Sequence, residues 1–219
     1  MTWLIACERS GRIRDAMLAR GIDAVSCDLE PTRAPGPHIQ GDVTDILQKR
    51  WTGVIAHPVC RYLTNAGSKH LYVGAKRWND DGAENPMDTQ RVWNCVEGAK
   101  FFTLCLNANA EMVAVENPVM HKLAATLVGT RATQFVQPWW FGEEMFKATG
   151  FHLRGLPKLT PTNKLTPPRP GTDEHKRWSW VHRMPPGPDR EEKRSVTAQG
   201  IADAIATQWG ELSKQEKAA

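Results

Sequence analysis

Short apolar runs alternate with polar and amphipathic segments through the first half of the chain. The runs predict four strands, at residues 2–6, 23–27, 53–56 and 111–115. Helical spacing predicts a helix between Ser10, its N-cap, and Gly21, its stop. A longer helix is predicted over residues 88–106 and a last one over residues 196–212, whereas the polar residues 68–87 are predicted to form a loop.

Strands that alternate with helices in this way predict an α/β fold, with a mainly parallel sheet and helices on both faces. In such sheets, ligands bind outside the carboxyl ends of the strands. Polar side chains fall at those ends, and they are the first candidates for a site: Glu8, Asp28, Asp42, Cys60 and Glu116.

The 219 residues suffice for one well-packed domain with a small appendage. No apolar run reaches the roughly 18 residues of a membrane span, and the N-terminus lacks the pattern of a secretory signal. Five cysteines at irregular spacing make neither a disulfide framework nor a zinc motif. These features predict a reduced, cytoplasmic protein without a bound metal; they predict no oligomeric state.

The net charge of +4 is unevenly distributed. Residues 151–195 hold 10 Lys and Arg against 5 acids, and 8 of the 15 prolines, so this segment carries the entire positive excess. A basic, proline-rich segment beside a neutral remainder indicates a surface for a polyanion. The alternative interpretation is a solvated loop that is basic without a binding role.

The turn after the first predicted strand has the layout of a nucleotide-binding unit, with a helix N-terminus following a tight turn. Gly11 is its single glycine, so neither a GxGxxG fingerprint nor a P-loop is present, and a pyrophosphate cofactor is disfavoured. Asp28 lies where a carboxylate accepts ribose hydroxyls, and Asp42 where one accepts from a base amino group. Each aspartate is equally typical of a cap or a turn.

Cys60 is the thiol whose surroundings best suit reactivity. It follows a buried strand, beside Pro58 and Arg61 and three residues after His57, and nearby cations favour the thiolate. A buried, inert cysteine is the alternative. Glu116 follows an apolar strand, so its partly desolvated carboxyl group could donate a proton near neutrality.

Together these segments resemble the cytosine-C5 DNA methyltransferases, in particular short, phage-type members, over most of the chain. Residues 58–67, PVCRYLTNAG, are similar to the family's nucleophile loop, Pro-Pro-Cys-Gln-x-Phe-Ser-x-Ala-Gly. Residues 116–118, Glu-Asn-Pro, resemble its Glu-Asn-Val. Phe141 and Gly142 with Lys147 and Thr149 resemble its Gly…Gln-x-Arg-x-Arg motif.

The resemblance implies a Rossmann-like fold and transfer of a methyl group from S-adenosylmethionine to C5 of cytosine in DNA. Cys60 would be the covalent nucleophile at C6, Glu116 would bind N3, and Lys147 would be a third catalytic residue. The cofactor would contact residues near the strand ends: Ala6, Cys7, Glu8, Ser10, Gly11, Asp28, Asp42 and Pro58. DNA would contact the nucleophile loop and the basic segment: Arg61, Asn65, Lys164, Arg177 and Trp178.

The implied organisation is a catalytic core over residues 1–150, a basic segment in place of a recognition domain over 151–195, and a C-terminal helix over 196–219 that packs back on the core. Trp178 could stack on a displaced base or simply cover the sheet edge. The chain departs from the family pattern at Cys7, Ser10, Val59, Arg61, Met145 and Thr149. Two alternatives therefore stay open: an enzyme that modifies C5 of a free pyrimidine nucleotide, and a DNA-binding protein that has lost catalysis.

Overall fold

The computed structural model describes residues 2–187 and 190–215, and its centre is a seven-stranded sheet. The spatial order is β3-β2-β1-β4-β5-β7-β6, in which β1 to β5 are parallel and β7 is antiparallel to both of its neighbours. The strands are β1 (Trp3–Ala6), β2 (Ala24–Asp28), β3 (His38–Gln40), β4 (Gly53–Ala56), β5 (Met112–Asn117), β6 (Gln134–Val136) and β7 (Thr149–Arg154).

Both faces of the sheet are buried, because side chains along each central strand alternate between two apolar layers. In β1, Trp3 and Ile5 enter one layer, whereas Leu4 and Ala6 enter the other. The first layer is completed by α1 (Arg12–Leu18) and α7 (Gln199–Ile205), and the second by α2 (Thr89–Leu106) and α3 (Lys122–Val128). The predicted α/β fold class, a mainly parallel sheet with helices on both faces, is confirmed.

Within its described residues, the basic segment contributes to the sheet only residues 151–154, the last four of β7. After β7 the chain is irregular to residue 172 and then forms α4 (Asp173–Trp178), α5 (Trp180–Arg183) and, after residues 188 and 189, α6 (Arg190–Ser195). β7 crosses the predicted boundary between residues 150 and 151 and ends at Arg154. The irregular part of the basic segment therefore starts at residue 155.

The C-terminal part of the chain packs against α1. The predicted helix over 196–212 is divided into α7, a π-helical turn (Ala206–Gly210) and α8 (Leu212–Gln215), while residues 216–219 lie outside the described part. Trp209 lies in the π turn, is fully buried, and donates from Nε1 to the Pro157 carbonyl at 2.8 Å.

The sequence pattern did not predict three of the seven strands, and the reasons are physical. β3 and β6 have three residues each at the edges of the sheet, and such short runs leave no recognisable apolar pattern. β7 has the mixed sequence TGFHLR but is buried because β5 and β6 pair with it on either side. Gly150 in β7 is required by packing, since a Cβ there would lie 2.5 Å from the Asn117 carbonyl oxygen.

The prediction of Ser10 as the N-cap of α1 is wrong. Gly11 occupies the N-cap position with φ 77°, a left-handed conformation that favours glycine, and the side chain of Glu8 accepts a hydrogen bond from the first turn. In the described ranges, no helix combines the length and apolarity needed to cross a bilayer. Nor do those ranges contain a group of three or more His, Cys, Asp or Glu side chains suited to a metal ion.

Candidate functional site

The candidate site lies at the carboxyl edge of the sheet, at the crevice between the ends of β1 and β4. The chain proceeds from β1 outward to β2 and β3 on one side and then returns to β4 and β5 on the other, so the strand order reverses between β1 and β4. Open α/β sheets bind ligands at such a reversal. The turn after β1 and the loop after β4 therefore form the two walls of the candidate site.

The wall after β1 is a tight turn that starts at Cys7, which has φ 57°. Such a left-handed conformation is uncommon outside glycine and concentrates at functional sites. Gly11 closes the turn, and a Cβ at that position would lie 2.5 Å from the guanidinium of Arg14. Burial raises the pKa of Cys7 well above its usual value, so this thiol is unsuited to act as a nucleophile.

Glu8 is buried in that turn, with 5% of its surface exposed. Its Oε1 accepts hydrogen bonds from the Ser10 hydroxyl at 2.8 Å and from the Ile13 backbone N–H at 3.2 Å. Its Oε2 is buried and has no hydrogen-bond partner. One carboxylate oxygen thus satisfies the start of α1, and the other is a buried acceptor without a hydrogen-bond partner.

Arg14 fixes the segment that follows β2. Its guanidinium is fully buried and donates to Ser26 Oγ at 3.0 Å, to Thr32 Oγ1 at 3.1 Å and to the carbonyls of Ala34 and Pro35. It also pairs with Asp15 at 2.7 Å. The loop between β2 and β3 is consequently tied to α1 by a single side chain.

Asp28 and Asp42 lie at the ends of β2 and just beyond β3, on the same edge as Glu8. Asp28 Oδ1 accepts from the Glu30 N–H at 3.0 Å, which makes a turn. Asp42 caps a short 3₁₀ helix (Val43–Asp45), and the bonds from the Thr44 N–H and hydroxyl lower the pKa of its carboxyl group. Both lie at the strand ends where the sequence places them. Asp28 also makes a turn and Asp42 a cap, the roles given as the alternative.

Across the crevice, the Cys60 loop is fastened to the segment after β5. Leu63 and Thr64 donate their N–H groups to the Cys60 carbonyl, which makes a helical turn at 2.9 Å for each bond. The Asn65 N–H donates to the Val119 carbonyl at 2.7 Å, and the His121 N–H donates to the Leu63 carbonyl at 3.0 Å. The nucleophile loop and the Glu116 strand end are thereby held next to each other.

His121 and Arg91 add side-chain support to this loop. The imidazole of His121 bonds through Nε2 to the Tyr62 carbonyl at 2.9 Å and accepts from the Ala124 N–H at 3.1 Å, capping α3. Arg91 donates to the Arg61 carbonyl at 2.9 Å and lies 4.5 Å from the centroid of the Tyr62 ring. The loop geometry therefore depends on α2 and α3 as well as on the sheet.

Glu116 is the penultimate residue of β5, with 19% of its side chain exposed, and faces His57, which directly follows β4. Its Oε2 is 3.8 Å from His57 Nδ1, while His57 Nε2 is buried without a partner. The next residue, Asn117, is 1% exposed and donates from Nδ2 to the Pro118 carbonyl at 2.5 Å. Glu116 is thus partly desolvated at the sheet edge, as the sequence predicts.

Lys147 reaches the same place from the segment before β7. Its Nζ donates to the Val196 carbonyl at 2.8 Å. Burial lowers its pKa below the usual value, and the negative charges of Glu116 and Cys60 oppose that shift. These three groups, named here the catalytic cluster, are therefore close enough to interact electrostatically although they come from three separate segments.

The predicted DNA contacts lie in two places, on the Cys60 loop and in the basic segment. Arg61 and Asn65 are exposed on the Cys60 loop. Lys164 lies 5.7 Å from the Trp139 ring centroid, and Arg177, 64% exposed, pairs with Glu144 at 3.0 Å. Trp178 is 3% exposed and packs on Phe146 with 5.5 Å between ring centroids. Of the two roles considered for Trp178, the structure favours packing, and Trp180, 46% exposed, is the tryptophan available for stacking.

Sequence reasoning missed Arg14 and His121, which support the site without lining it. Arg14 lies in α1 between Ile13 and Met17, at the border of the apolar face of the helix. This position is the feature of the sequence that indicates its burial. His121 gave no signal, because the Tyr62 carbonyl is distant in sequence and histidine is not among the residues that typically cap a helix N-terminus.

No family model matches the chain, and no curated protein matches it significantly. A solved structure from E. coli, named as a candidate DNA modification methyltransferase encoded within a prophage, is similar to it at 13% identity with a TM-score of 0.40. The match covers 70% of this chain and 46% of that chain, so this chain spans less than half the length of that protein.

Proposed function

We propose that the chain is a DNA methyltransferase that transfers a methyl group from S-adenosylmethionine to C5 of cytosine through a covalent adduct on Cys60. The convergence of Cys60, Glu116 and Lys147 at the carboxyl edge of a methyltransferase-type sheet is the observation that carries the proposal. The motif order of the family, nucleophile loop before Glu-Asn, is matched by adjacent parallel strands, β4 and β5.

The cofactor side of the crevice fits a cationic nucleoside better than a diphosphate. Carboxylates predominate among its polar groups, with Glu8, Asp28 and Asp42 on one edge, and the unpartnered Glu8 Oε2 is an acceptor. These residues would hold the cofactor together with the backbone of the turn from Cys7 to Gly11. When bound, S-adenosylmethionine supplies an electrophilic methyl group.

On the opposite wall, Cys60 Sγ would form a bond to C6 of cytosine, and the electron pair of the C5–C6 double bond would move into the ring. Glu116 would hold a proton at N3 and stabilise the charge that develops there. C5 would then form its bond to the methyl group of S-adenosylmethionine, which leaves as S-adenosylhomocysteine. Transfer of the C5 proton to water would then restore the double bond as the Sγ–C6 bond breaks.

Lys147 would keep its positive end near the thiolate and the carboxylate of the catalytic cluster. A buried cation between two acidic groups reduces the repulsion that they would otherwise exert on one another. For a duplex target, the cytosine would be flipped out of the helix to reach Cys60, at a cost of a few kcal/mol.

The test is adduct formation with DNA in which 5-fluorocytosine replaces cytosine throughout a sequence of high complexity. Fluorine at C5 cannot leave as a proton does, so the Cys60–C6 bond would persist as a protein–DNA band under denaturing conditions. We expect that band with S-adenosylmethionine present, its loss in Cys60→Ser, and its retention in Cys105→Ala, which removes a buried core thiol instead.

The other outcomes separate the alternatives. An adduct with a 5-fluorinated mononucleotide but none with DNA would favour a nucleotide-modifying enzyme. No adduct, together with salt-dependent DNA binding that Cys60→Ser leaves unchanged, would overturn the proposal in favour of a non-catalytic DNA-binding protein.

A further inference from the structure

His57 is a largely buried histidine that lies next to the catalytic cluster but outside it. It directly follows β4, with 12% of its side chain exposed, and its backbone N–H donates to the Ala6 carbonyl at 2.9 Å. This bond continues the pairing of β1 with β4 beyond the last paired residues, Ala6 and Ala56. A group carried by such a strand end is placed more precisely than one carried by a flexible loop.

The two ring nitrogens of His57 have unequal surroundings. Nδ1 lies 3.8 Å from Oε2 of Glu116, whereas Nε2 is closed to solvent and bonds to no group among the described residues. A proton on Nε2, in the neutral or the charged ring, would therefore be a buried donor without an acceptor, which is costly. With the proton on Nδ1 alone, one lone pair stays unsatisfied and the N–H faces its acceptor. The surroundings thus favour the neutral Nδ1–H form.

Glu116 has a freedom of rotation that this donor would remove. The residue is the penultimate one of β5, which pairs with β4, so its side chain starts from a fixed position beside His57. The last torsion of a glutamate side chain is broad, and either carboxyl oxygen could face the base. A donor at Oε2 leaves Oε1 as the oxygen that reaches N3. The same donor stabilises the carboxylate that remains once a proton has moved to N3.

Lys147 does not replace this contact. Its Nζ donates to the Val196 carbonyl at 2.8 Å, and it acts on Glu116 through its charge. A charge attracts both carboxyl oxygens, whereas a directional hydrogen bond to one of them selects a rotamer.

We propose that His57 is a positioning residue for Glu116: the neutral imidazole donates from Nδ1 to Oε2 and thereby directs Oε1 to N3 of the target cytosine. This inference rests on the proposed function and adds to it the residue that orients its acid. The 3.8 Å separation is longer than a hydrogen bond, but catalytic hydrogen bonds often tighten only when the substrate is bound. His57 does not touch the substrate in this role.

Asparagine and glutamine separate the two ring nitrogens of His57 in an experiment. The amide nitrogen of asparagine lies as many bonds from Cα as Nδ1, and that of glutamine as many as Nε2. We expect His57→Asn to keep the single-turnover rate of DNA methylation within about 3-fold of the wild type, whereas His57→Gln and His57→Ala lower it by about 10- to 100-fold, the range of one charged hydrogen bond. DNA affinity, measured by fluorescence anisotropy, should change by less than about 3-fold in all three variants.

The loss of rate should depend on Glu116 rather than on a damaged fold. In a Glu116→Gln background, His57→Ala should change the rate by less than about 3-fold, because no carboxylate is left to orient. His152→Gln is the matched control for His57→Gln. It removes another buried imidazole, which bonds to the Thr130 hydroxyl at 3.0 Å, and should leave the rate within about 3-fold of the wild type.

Nitrogen NMR tests the contact without any activity. The chemical shifts of the two imidazole nitrogens distinguish the neutral forms of histidine, and the His57 signals are assigned by their absence in His57→Asn. We expect the Nδ1–H form in the wild type and a changed Nδ1 shift in Glu116→Gln. The Nε2–H form in the wild type would overturn the inference, even if the His57 variants transfer no methyl group.

The outcomes distinguish this inference from the function on which it rests. In an active wild-type protein, equal losses of rate in His57→Asn and His57→Gln overturn the role of His57. A loss in His57→Ala that is the same with and without the Glu116 carboxylate overturns it as well, and the proposed function stands in both cases. Wild-type protein that forms neither methylated DNA nor the covalent adduct contradicts the proposed function, and the positioning role with it.

Discussion

Cys60, Glu116 and Lys147 come together at the sheet edge, and backbone hydrogen bonds hold the Cys60 loop to the end of β5. Lys164 and Arg177 lie instead in the part of the basic segment that follows β7, where the described residues form no strand. The two basic side chains make surface contacts there, with Trp139 and Glu144. Covalent chemistry requires atoms placed to a fraction of an ångström, whereas phosphate contacts tolerate movement. Under the proposed function the two regions have different roles: the sheet positions the reaction, and the basic segment provides charge for DNA binding.

The largest effect is expected for Glu116, whose substitution should separate the rate of methyl transfer from DNA affinity. Glu116→Gln should lower the rate of methyl transfer by about 10³-fold, because the neutral amide cannot deliver a proton to N3. DNA affinity should change by less than about 3-fold. Single-turnover methylation and fluorescence anisotropy with labelled DNA measure the two quantities. A parallel loss of affinity would show that the catalytic cluster also anchors the DNA.

The second test distinguishes the two tryptophans of the basic segment. Trp178→Ala should lower the free energy of unfolding by about 3–4 kcal/mol, because it removes a buried ring that packs on Phe146. Trp180→Ala should leave stability within about 0.5 kcal/mol and weaken DNA binding instead. Urea denaturation and anisotropy provide the measurements. If Trp178→Ala unfolds like the wild type, the segment is less firmly attached than its packing indicates.

The third test concerns His152, a buried histidine in β7. Burial lowers the pKa of His152 to about 4, so the folded protein binds no proton there between about pH 4 and pH 6.5, whereas the unfolded chain does. Stability should therefore fall as the pH decreases through this range, by roughly 2–3 kcal/mol from this residue. Urea midpoints at pH 7 and pH 4.5 should converge in His152→Gln. An unchanged pH dependence in that variant would assign the effect to other groups.

The smallest effect is expected for single charges of the basic segment. Arg177→Gln should weaken DNA binding only a few-fold and reduce the slope of log affinity against log salt by about 1. Lys100→Gln removes an equally exposed charge from α2 and serves as the control, with no expected change in slope. Equal slopes for the two variants would mean that Arg177 is occupied by Glu144 rather than by DNA.

The sequence predicted the central strands and the polar residues at their carboxyl ends because both depend on local patterns. Apolar runs marked β1, β2, β4 and β5, and polar residues immediately after them marked the carboxyl edge. The edge strands β3 and β6 are too short to leave such a pattern.

Contacts between distant residues were beyond local reasoning. The proximity of Lys147 to Cys60 followed from a family resemblance, and no spacing in the chain indicates it. His57 facing Glu116, and Glu8 with one unpartnered oxygen, depend on which strands are neighbours and on side-chain orientation. Neither can be obtained from hydrophobic periodicity.

The guanidinium of Arg14 has a consequence for ligand affinity. One side chain holds the loop between β2 and β3 through Thr32, Ala34 and Pro35, so the wall beside Asp28 is assembled before any ligand arrives. A lysine there would offer one ammonium for several acceptors, and the chain would sample arrangements in which that wall is absent. Affinity would then decrease in proportion to the fraction of molecules in the assembled state, even though no ligand-contacting residue had changed.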